Sequence, residues 1–243
     1  MDTLIEAYIL RTLDYRESSR LLYLYTPNGL QSALARGVKK MDAPYRHLAQ
    51  TGHLVEIGLS SGRLPTVKVM QRLELYLPLK QSLIAQTVSH VAQELIYFNT
   101  TETDDHARLY SFLKKWLKQL ESHAEHSWAP LELLLIFELK FFYLLGYGIR
   151  FASCHVCGAD TGLYFEPNTA MVACQNHVDQ LNQALHGTQF NLLKWALHLE
   201  ITHYAPQSTS KELLQPLMQR IDGLHSMFLG HIPKSRTILH TLL

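Results

Sequence analysis

Hydrophobic positions change period once along this 243-residue chain. Up to about residue 75 they come in short runs rich in β-branched and aromatic residues: Glu6–Leu13, Ser19–Thr26, Leu30–Ala35, Leu54–Leu59 and Thr66–Met70. Pro27-Asn28-Gly29 and Ser60-Ser61-Gly62-Arg63 punctuate them as turns. From Pro78 onward the period becomes 3.6. Leu83, Val88, Val91, Ala92, Leu95 and Ile96 share one helical face, and Leu109, Phe112, Leu113, Trp116, Leu117 and Leu120 share another. Thr103 is the expected N-cap of that second helix. A third helix, 131–145, opens at Pro130 and is apolar nearly all round, so it is expected at the centre of a bundle. Further helices are expected at 178–185, 192–202, 210–229 and 235–243.

The fold class this predicts is α+β and multidomain. An N-terminal β-barrel, 1–79, precedes an α-helical bundle domain, 80–243. Five short strands fit an OB-fold barrel, although pattern alone does not separate it from an SH3-like one. Between the third and fourth helices the periodicity stops. Residues 150–178 hold only turns and a short hairpin, 162–166 with 171–173, and read as an insertion.

That insertion holds all three cysteines of the chain, as Cys154-x2-Cys157-x16-Cys174-x2-His177. A two-residue spacing lets both members of a pair converge on one ion from a tight turn. Two such turns supply the four soft and borderline donors that tetrahedral Zn2+ prefers. A redox Cys-x-x-Cys would need a strand before it and a helix opening at its first Cys. Here Gly146 and Gly148 precede the pair, and Gly158 and Gly162 follow. A deaminase-type catalytic zinc would need His-x-Glu and Pro-Cys, and neither stands here. Four protein ligands leave no place for water, so the site reads as structural Zn2+ bracing the bundle. Loss of a ligand is then expected to destabilise the region beyond 80 and leave the barrel folded. No catalytic residues are predicted, because no P-loop, nucleophile elbow or dinucleotide fingerprint is present.

Composition adds little until it is divided. Formal net charge is +1 and hydrophobic content 47%. Residues 1–80 nevertheless carry 11 Lys and Arg against 7 Asp and Glu, and the rest 11 against 14. Arg16, Arg20, Arg36, Lys39, Lys40 and Arg46 are the candidate phosphate contacts, with Tyr15, Tyr23, Tyr25 and Tyr45 interleaved. Cations beside aromatic faces suit sequence-tolerant nucleic-acid binding. A solvated basic face over core tyrosines would give the same composition. No basic-then-apolar leader is expected at Asp2 to Glu6, and no run is long enough to span a bilayer. Thiols assigned to a metal fit a reducing cytoplasm.

The order of these parts resembles the bacterial RecO family. Tyr15-Arg-Glu17-Ser-Ser-Arg20, Thr26-Pro-Asn-Gly29, Arg36-Gly37-Val-Lys39-Lys40, Gly146-Tyr-Gly-Ile-Arg-Phe-Ala-Ser-Cys154 and Lys234-Ser235-Arg236 are similar to the family's elements. Thr169-Ala170 stands where the family usually shows a Gly pair, and Arg36-Gly37 where it shows Lys-Gly. The resemblance implies an OB domain, a helical domain with a zinc-ribbon-like insertion, and a non-enzymatic role in recombinational DNA repair. It further implies binding of single- and double-stranded DNA, strand annealing, and action with RecR to load RecA onto DNA coated by single-stranded DNA-binding protein (SSB). Contact with the acidic, hydrophobic SSB C-terminal tail is expected through the helical domain, in a cytoplasmic, nucleoid-associated protein. A competing expectation is a protein-interaction adaptor whose barrel does not touch DNA.

Overall fold

The structure, a computed structural model, describes residues 4–178, 184–207 and 209–243. Five antiparallel strands come first: β1 (Leu4–Tyr15), β2 (Ser19–Thr26), β3 (Gly29–Ala35), β4 (Leu54–Leu59) and β5 (Val67–Glu74). Their order is β3-β2-β1-β4-β5. The sheet closes where Leu34 of β3 bridges Thr66 in parallel, with the Leu34 N–H donating to the Pro65 carbonyl at 2.8 Å. This closure makes the sheet an OB-like Greek-key barrel, the choice that strand count left open. β5 runs four residues beyond its expected end and β1 two residues further each way, because both stay paired to β4 or β2 there.

Ala7, Ile9, Leu22, Leu24, Ala33, Val55, Ile57 and Met70 fill the barrel. Tyr8, Leu10, Tyr25 and Leu54 point the other way, into the core of the helices. Strand β1 is therefore buried on both faces over Ala7–Leu10, and one continuous apolar core crosses residue 80. Gln93 donates to the Tyr8 hydroxyl at 2.9 Å in that buried seam. Gly29 is needed at the same seam. Its φ is +104°, and a Cβ there would lie 2.9 Å from the His106 ring.

The helices are α1 (Leu77–Gln81), α2 (Leu83–Asn99), α3 (His106–Ser122), α4 (Ala129–Leu144), α5 (Gly187–His198), α6 (Lys211–Leu229) and α7 (Lys234–Leu242). Helix α1 has no counterpart in the expected elements. Ser82 caps α2 by accepting from the Ala85 N–H. The cap of α3 is Asp105, which accepts from the Arg108 N–H at 3.0 Å, and not Thr103. Thr103 is held one turn earlier: its hydroxyl bonds that of Thr101, while the Thr101 N–H donates to Asp104. Helix α4 is the central element, with Leu133 to Leu139 all buried. The helix expected over 192–202 is instead α5, which ends at His198, with a single 3-10 turn at Ile201–His203. Lys140 of α4 donates to the Leu197 carbonyl at 2.8 Å and so satisfies the end of α5. The helix expected over 178–185 falls largely on 179–183, outside the described residues. Leu185 is not helical; it exchanges two backbone hydrogen bonds with Phe165. No helix among the described residues is long and apolar enough to cross a membrane.

Candidate metal centre and cationic surface

Strands β6 (Leu163–Glu166) and β7 (Met171–Cys174) form the hairpin of the insertion. The first ligand turn is closed by Gly158 N–H to the Cys154 carbonyl at 2.9 Å and Cys154 N–H to the Ala159 carbonyl at 2.7 Å. The second is closed by His177 N–H to the Cys174 carbonyl at 2.9 Å. The two turns are tied together by the His155 N–H and its Nδ1, both on the Val172 carbonyl at 2.8 Å. His155 is thus turned to the backbone and does not join the ligand set.

Cys154, Cys157, Cys174 and His177 place their donor atoms within 4.8 Å of one another. The Cys157 and Cys174 sulfurs are 3.7 Å apart, and His177 Nδ1 lies 3.6 Å from Cys154 Sγ and 3.3 Å from Cys174 Sγ. A tetrahedron with Zn–S near 2.3 Å and Zn–N near 2.0–2.1 Å has edges of about 3.8 and about 3.5 Å. The donor set is therefore already spaced for such an ion. It is much too wide for a disulfide, whose sulfurs stand about 2.05 Å apart. Burial pushes the Cys154 thiol up, but the N–H groups of Cys157, Cys174 and Val156 outweigh it and bring its pKa down to about 5. The Ala159 N–H favours the Cys157 thiolate, yet burial and the neighbouring sulfurs win and raise it. Backbone donors thus favour the thiolate at Cys154, whereas Cys157 is held towards the thiol.

The knuckle is sewn into the body. Phe151 contacts Phe165 and Phe190 edge-on at 4.9 and 5.6 Å, and Val172 and Ala173 lie in the main core. Gly223 of α6 sits under the hairpin tip, where a Cβ would collide with Asn168 Oδ1.

At the far end of the barrel, topology gathers the candidate cations. Arg20 pairs in register with Ala35, so the β1–β2 turn lies beside the exit of β3. The Lys39 N–H donates to the Ser18 carbonyl at 2.8 Å, and the Gly37 N–H to the Ser19 hydroxyl at 3.3 Å. Arg16, Arg36 and Lys40 are exposed there. Arg20 and Lys39 are half-buried and share Asp14, at 3.3 and 2.7 Å. The hydrogen bond from Lys39, helped by Arg20, holds the Asp14 carboxyl below its usual range. Arg46 is exposed farther along the same loop, its guanidinium against the Met41 sulfur.

The four tyrosines divide. Tyr25 is fully buried against His106 and Tyr110 and cannot meet a base, and Tyr45 packs on the barrel core. Tyr15 and Tyr23 stay on the outer surface of the sheet, Tyr15 exposed and Tyr23 half-buried.

A pocket of about 620 Å³ between α3, α4 and α5 had no signal in the sequence. Arg108, Lys115, Lys140, Arg150 and His198 ring it, with Phe112 and Phe151 among its apolar walls and Glu200 its one acid. Burial lowers the Lys140 pKa. These residues come from three separated segments, so only folding brings them together.

An OB-like barrel fused to a helical body, with a Cys3His knuckle set into the helices, defines an α+β multidomain protein with a metal-type insertion. Its family follows from comparison. The description "Recombination protein O N terminal" matches residues 1–76 and "Recombination protein O C terminal" matches 80–236. The chain belongs to the RecO family, which puts it among DNA repair and recombination proteins. Similar relatives named "DNA repair protein RecO" come from Syntrophobacter fumaroxidans, 28% identical over 75% of this chain and 74% of that one, and from Clostridium novyi, 25% identical over 98% and 93%. A third, from Listeria monocytogenes, is 23% identical over 98% and 93%.

Proposed function

We propose that this protein is a non-enzymatic recombination mediator. It binds single- and double-stranded DNA, anneals complementary strands, and with RecR helps load RecA onto SSB-coated DNA. The observation that carries this reading is the gathering of exposed Arg16, Arg36 and Lys40, with half-buried Arg20 and Lys39 beside them and exposed Arg46 farther along the same loop, at one end of an OB-like barrel. Such a surface neutralises phosphates without reading bases. Two strands can then be held close while base pairing does the recognising. Asp14 fixes Arg20 and Lys39 in place, which leaves the exposed cations as the main phosphate contacts.

The Cys154, Cys157, Cys174 and His177 set holds a structural Zn2+, and its closed four-ligand shell leaves no position for catalytic water. The basic, aromatic-walled pocket at Arg108, Lys140 and Arg150 suits the acidic, hydrophobic C-terminal tail of SSB. Carboxylates meet its rim and an apolar end group its floor. The protein works in the cytoplasm on the nucleoid.

Fluorescence anisotropy of a labelled single-stranded oligonucleotide across a salt series tests the reading. Affinity should fall with salt at a slope of about −0.7 per phosphate contact. Salt-independent or absent binding in dilute buffer, with retained binding of protein partners, would make the chain an adaptor instead.

A further inference from the structure

An aromatic and cationic patch lies on the outer surface where the barrel meets α2, away from the cations that share Asp14. Arg11 and Tyr23 are cross-strand partners on β1 and β2. The Arg11 guanidinium carbon is 6.0 Å from the Tyr23 ring centre and 5.8 Å from that of Tyr97, near the end of α2. Tyr23 and Tyr97 meet edge to face at 5.2 Å, and Tyr97 meets Phe98 edge to face at 4.7 Å. Tyr23 and Tyr97 are half-buried, which braces them, while Phe98 is 58% exposed. Side chains alternate along β1, so Arg11, Leu13 and Tyr15 lie on one outer face. Leu13 and Tyr15 are 46% and 36% exposed, and Arg16 lies over Tyr15 at 5.4 Å.

A lone exposed ring asks for no explanation. Three contacting rings flanked by an arginine, continuing along a strand to a second ring–arginine pair, are different. The Arg11 guanidinium is held against the Tyr23 and Tyr97 rings, hydrogen-bonds Tyr97, and pairs with no carboxylate among the described residues. The β1–β2 surface runs on to the turn that carries Arg16, so a chain lying along it passes from rings to exposed cations.

We propose that Arg11, Tyr23, Tyr97 and Phe98 form a stacking platform for an unpaired base of single-stranded DNA, with Phe98 the contacting ring and Arg11 holding the adjoining phosphate. The inference rests on the DNA-binding reading above and adds a contact that senses the base, which the cations at the barrel's end do not. Because two of its four residues come from α2 and two from the barrel, both parts of the chain grip one strand.

The test compares a labelled oligo-dT with an oligonucleotide of equal length made of abasic residues, against wild type, Phe98→Ala, Phe98→Tyr and Arg36→Glu/Lys40→Glu. Phe98→Ala should weaken oligo-dT binding about tenfold, the stacking of one base, and leave the abasic strand within twofold. Phe98→Tyr should restore wild-type affinity, and the charge-reversed variant should lose affinity for both strands. Thermal melting of Phe98→Ala should match wild type, since the ring is largely exposed. Equal affinity of Phe98→Ala and wild type for oligo-dT overturns the platform, as does an equal loss on both strands or a loss seen only with a protein partner. Wild type that binds neither strand overturns the DNA-binding reading itself, and the platform with it.

Discussion

Arg236, three residues into the last helix, forms a fully buried ion pair with Glu138 at the centre of α4. The same guanidinium reaches Asp222 and the Met218 carbonyl of α6, so one side chain ties α4, α6 and α7 together. The N-terminus of α7 is fixed separately. Glu94 of α2 accepts from the backbone N–H groups of Lys234 and Ser235, at 2.8 and 2.9 Å, and from the Ser235 hydroxyl. The Lys234-Ser235-Arg236 triplet is thus a docking element for the last helix.

Removing one partner leaves the other buried and uncompensated, which costs roughly 3–5 kcal/mol. Arg236→Ala should lower stability by that amount in urea unfolding. Arg236→Met with Glu138→Leu should recover a large part of it, because no buried charge on that pair then remains. An Arg236→Ala midpoint equal to wild type would contradict the tie.

His225 gives the same network a pH dependence. Burial lowers its pKa, and the opposing pull of Glu138 does not reverse this. The unfolded chain takes up its proton near the usual value of about 6.5, whereas the folded chain does so only at lower pH. Stability is therefore full above about 6.5 and falls as pH drops through that value. His53 and His90, both lowered chiefly by burial, act in the same direction. The unfolding free energy of wild type should decrease between pH 7.5 and 5.5, and His225→Gln should make that slope shallower without abolishing it.

The knuckle should bind one divalent ion per chain, measured by metal analysis of the purified protein, and Cys157→Ser should lower both the metal content and the melting temperature. Chelation should do the same, because an ion bound only by the folded state adds its binding free energy to folding. The sequence led to the expectation that the barrel would stay folded after such a loss. Tyr8, Leu10, Tyr25 and Leu54 sit in the helical core, so part of the barrel should loosen with it. Amide exchange of β1 and β2 measured with and without chelator distinguishes the two outcomes.

The hairpin tip makes two opposite predictions about glycine. Ala170 has φ +51°, a left-handed conformation that costs an L-residue about 1–2 kcal/mol. Ala170→Gly should stabilise by about 0.5–1 kcal/mol after the extra freedom of the unfolded glycine is counted. Gly223→Ala should destabilise by about 1–2 kcal/mol, although alanine favours helix by about 1 kcal/mol, since its Cβ collides with Asn168. Asn168→Ala should relieve most of that loss. Thermal melts of Ala170→Gly, Gly223→Ala and Gly223→Ala/Asn168→Ala against wild type decide both.

The sequence by itself determined the parts whose signals are local. The period of two and the turns at Pro27–Gly29 and Ser60–Arg63 marked the five strands, and the all-round apolar run 131–145 marked the central helix. The spacing of Cys154, Cys157, Cys174 and His177 marked the one site whose donors are close along the chain. Tertiary structure decided what depends on residues far apart. Strand closure at Leu34 and Thr66 chose the OB-like barrel, since partner choice between strands leaves no trace in either strand's own pattern. Asp14 drew Arg20 and Lys39 into ion pairs and, among the described residues, left Arg16, Arg36 and Lys40 outside them, a division that depends on reach across a sheet. Lys140 ended α5, Arg236 found Glu138 98 positions away, and Arg11 met Tyr97 of another element. Each of these is an electrostatic or packing contact whose strength falls off with distance in space, and that distance exists only once the chain has folded.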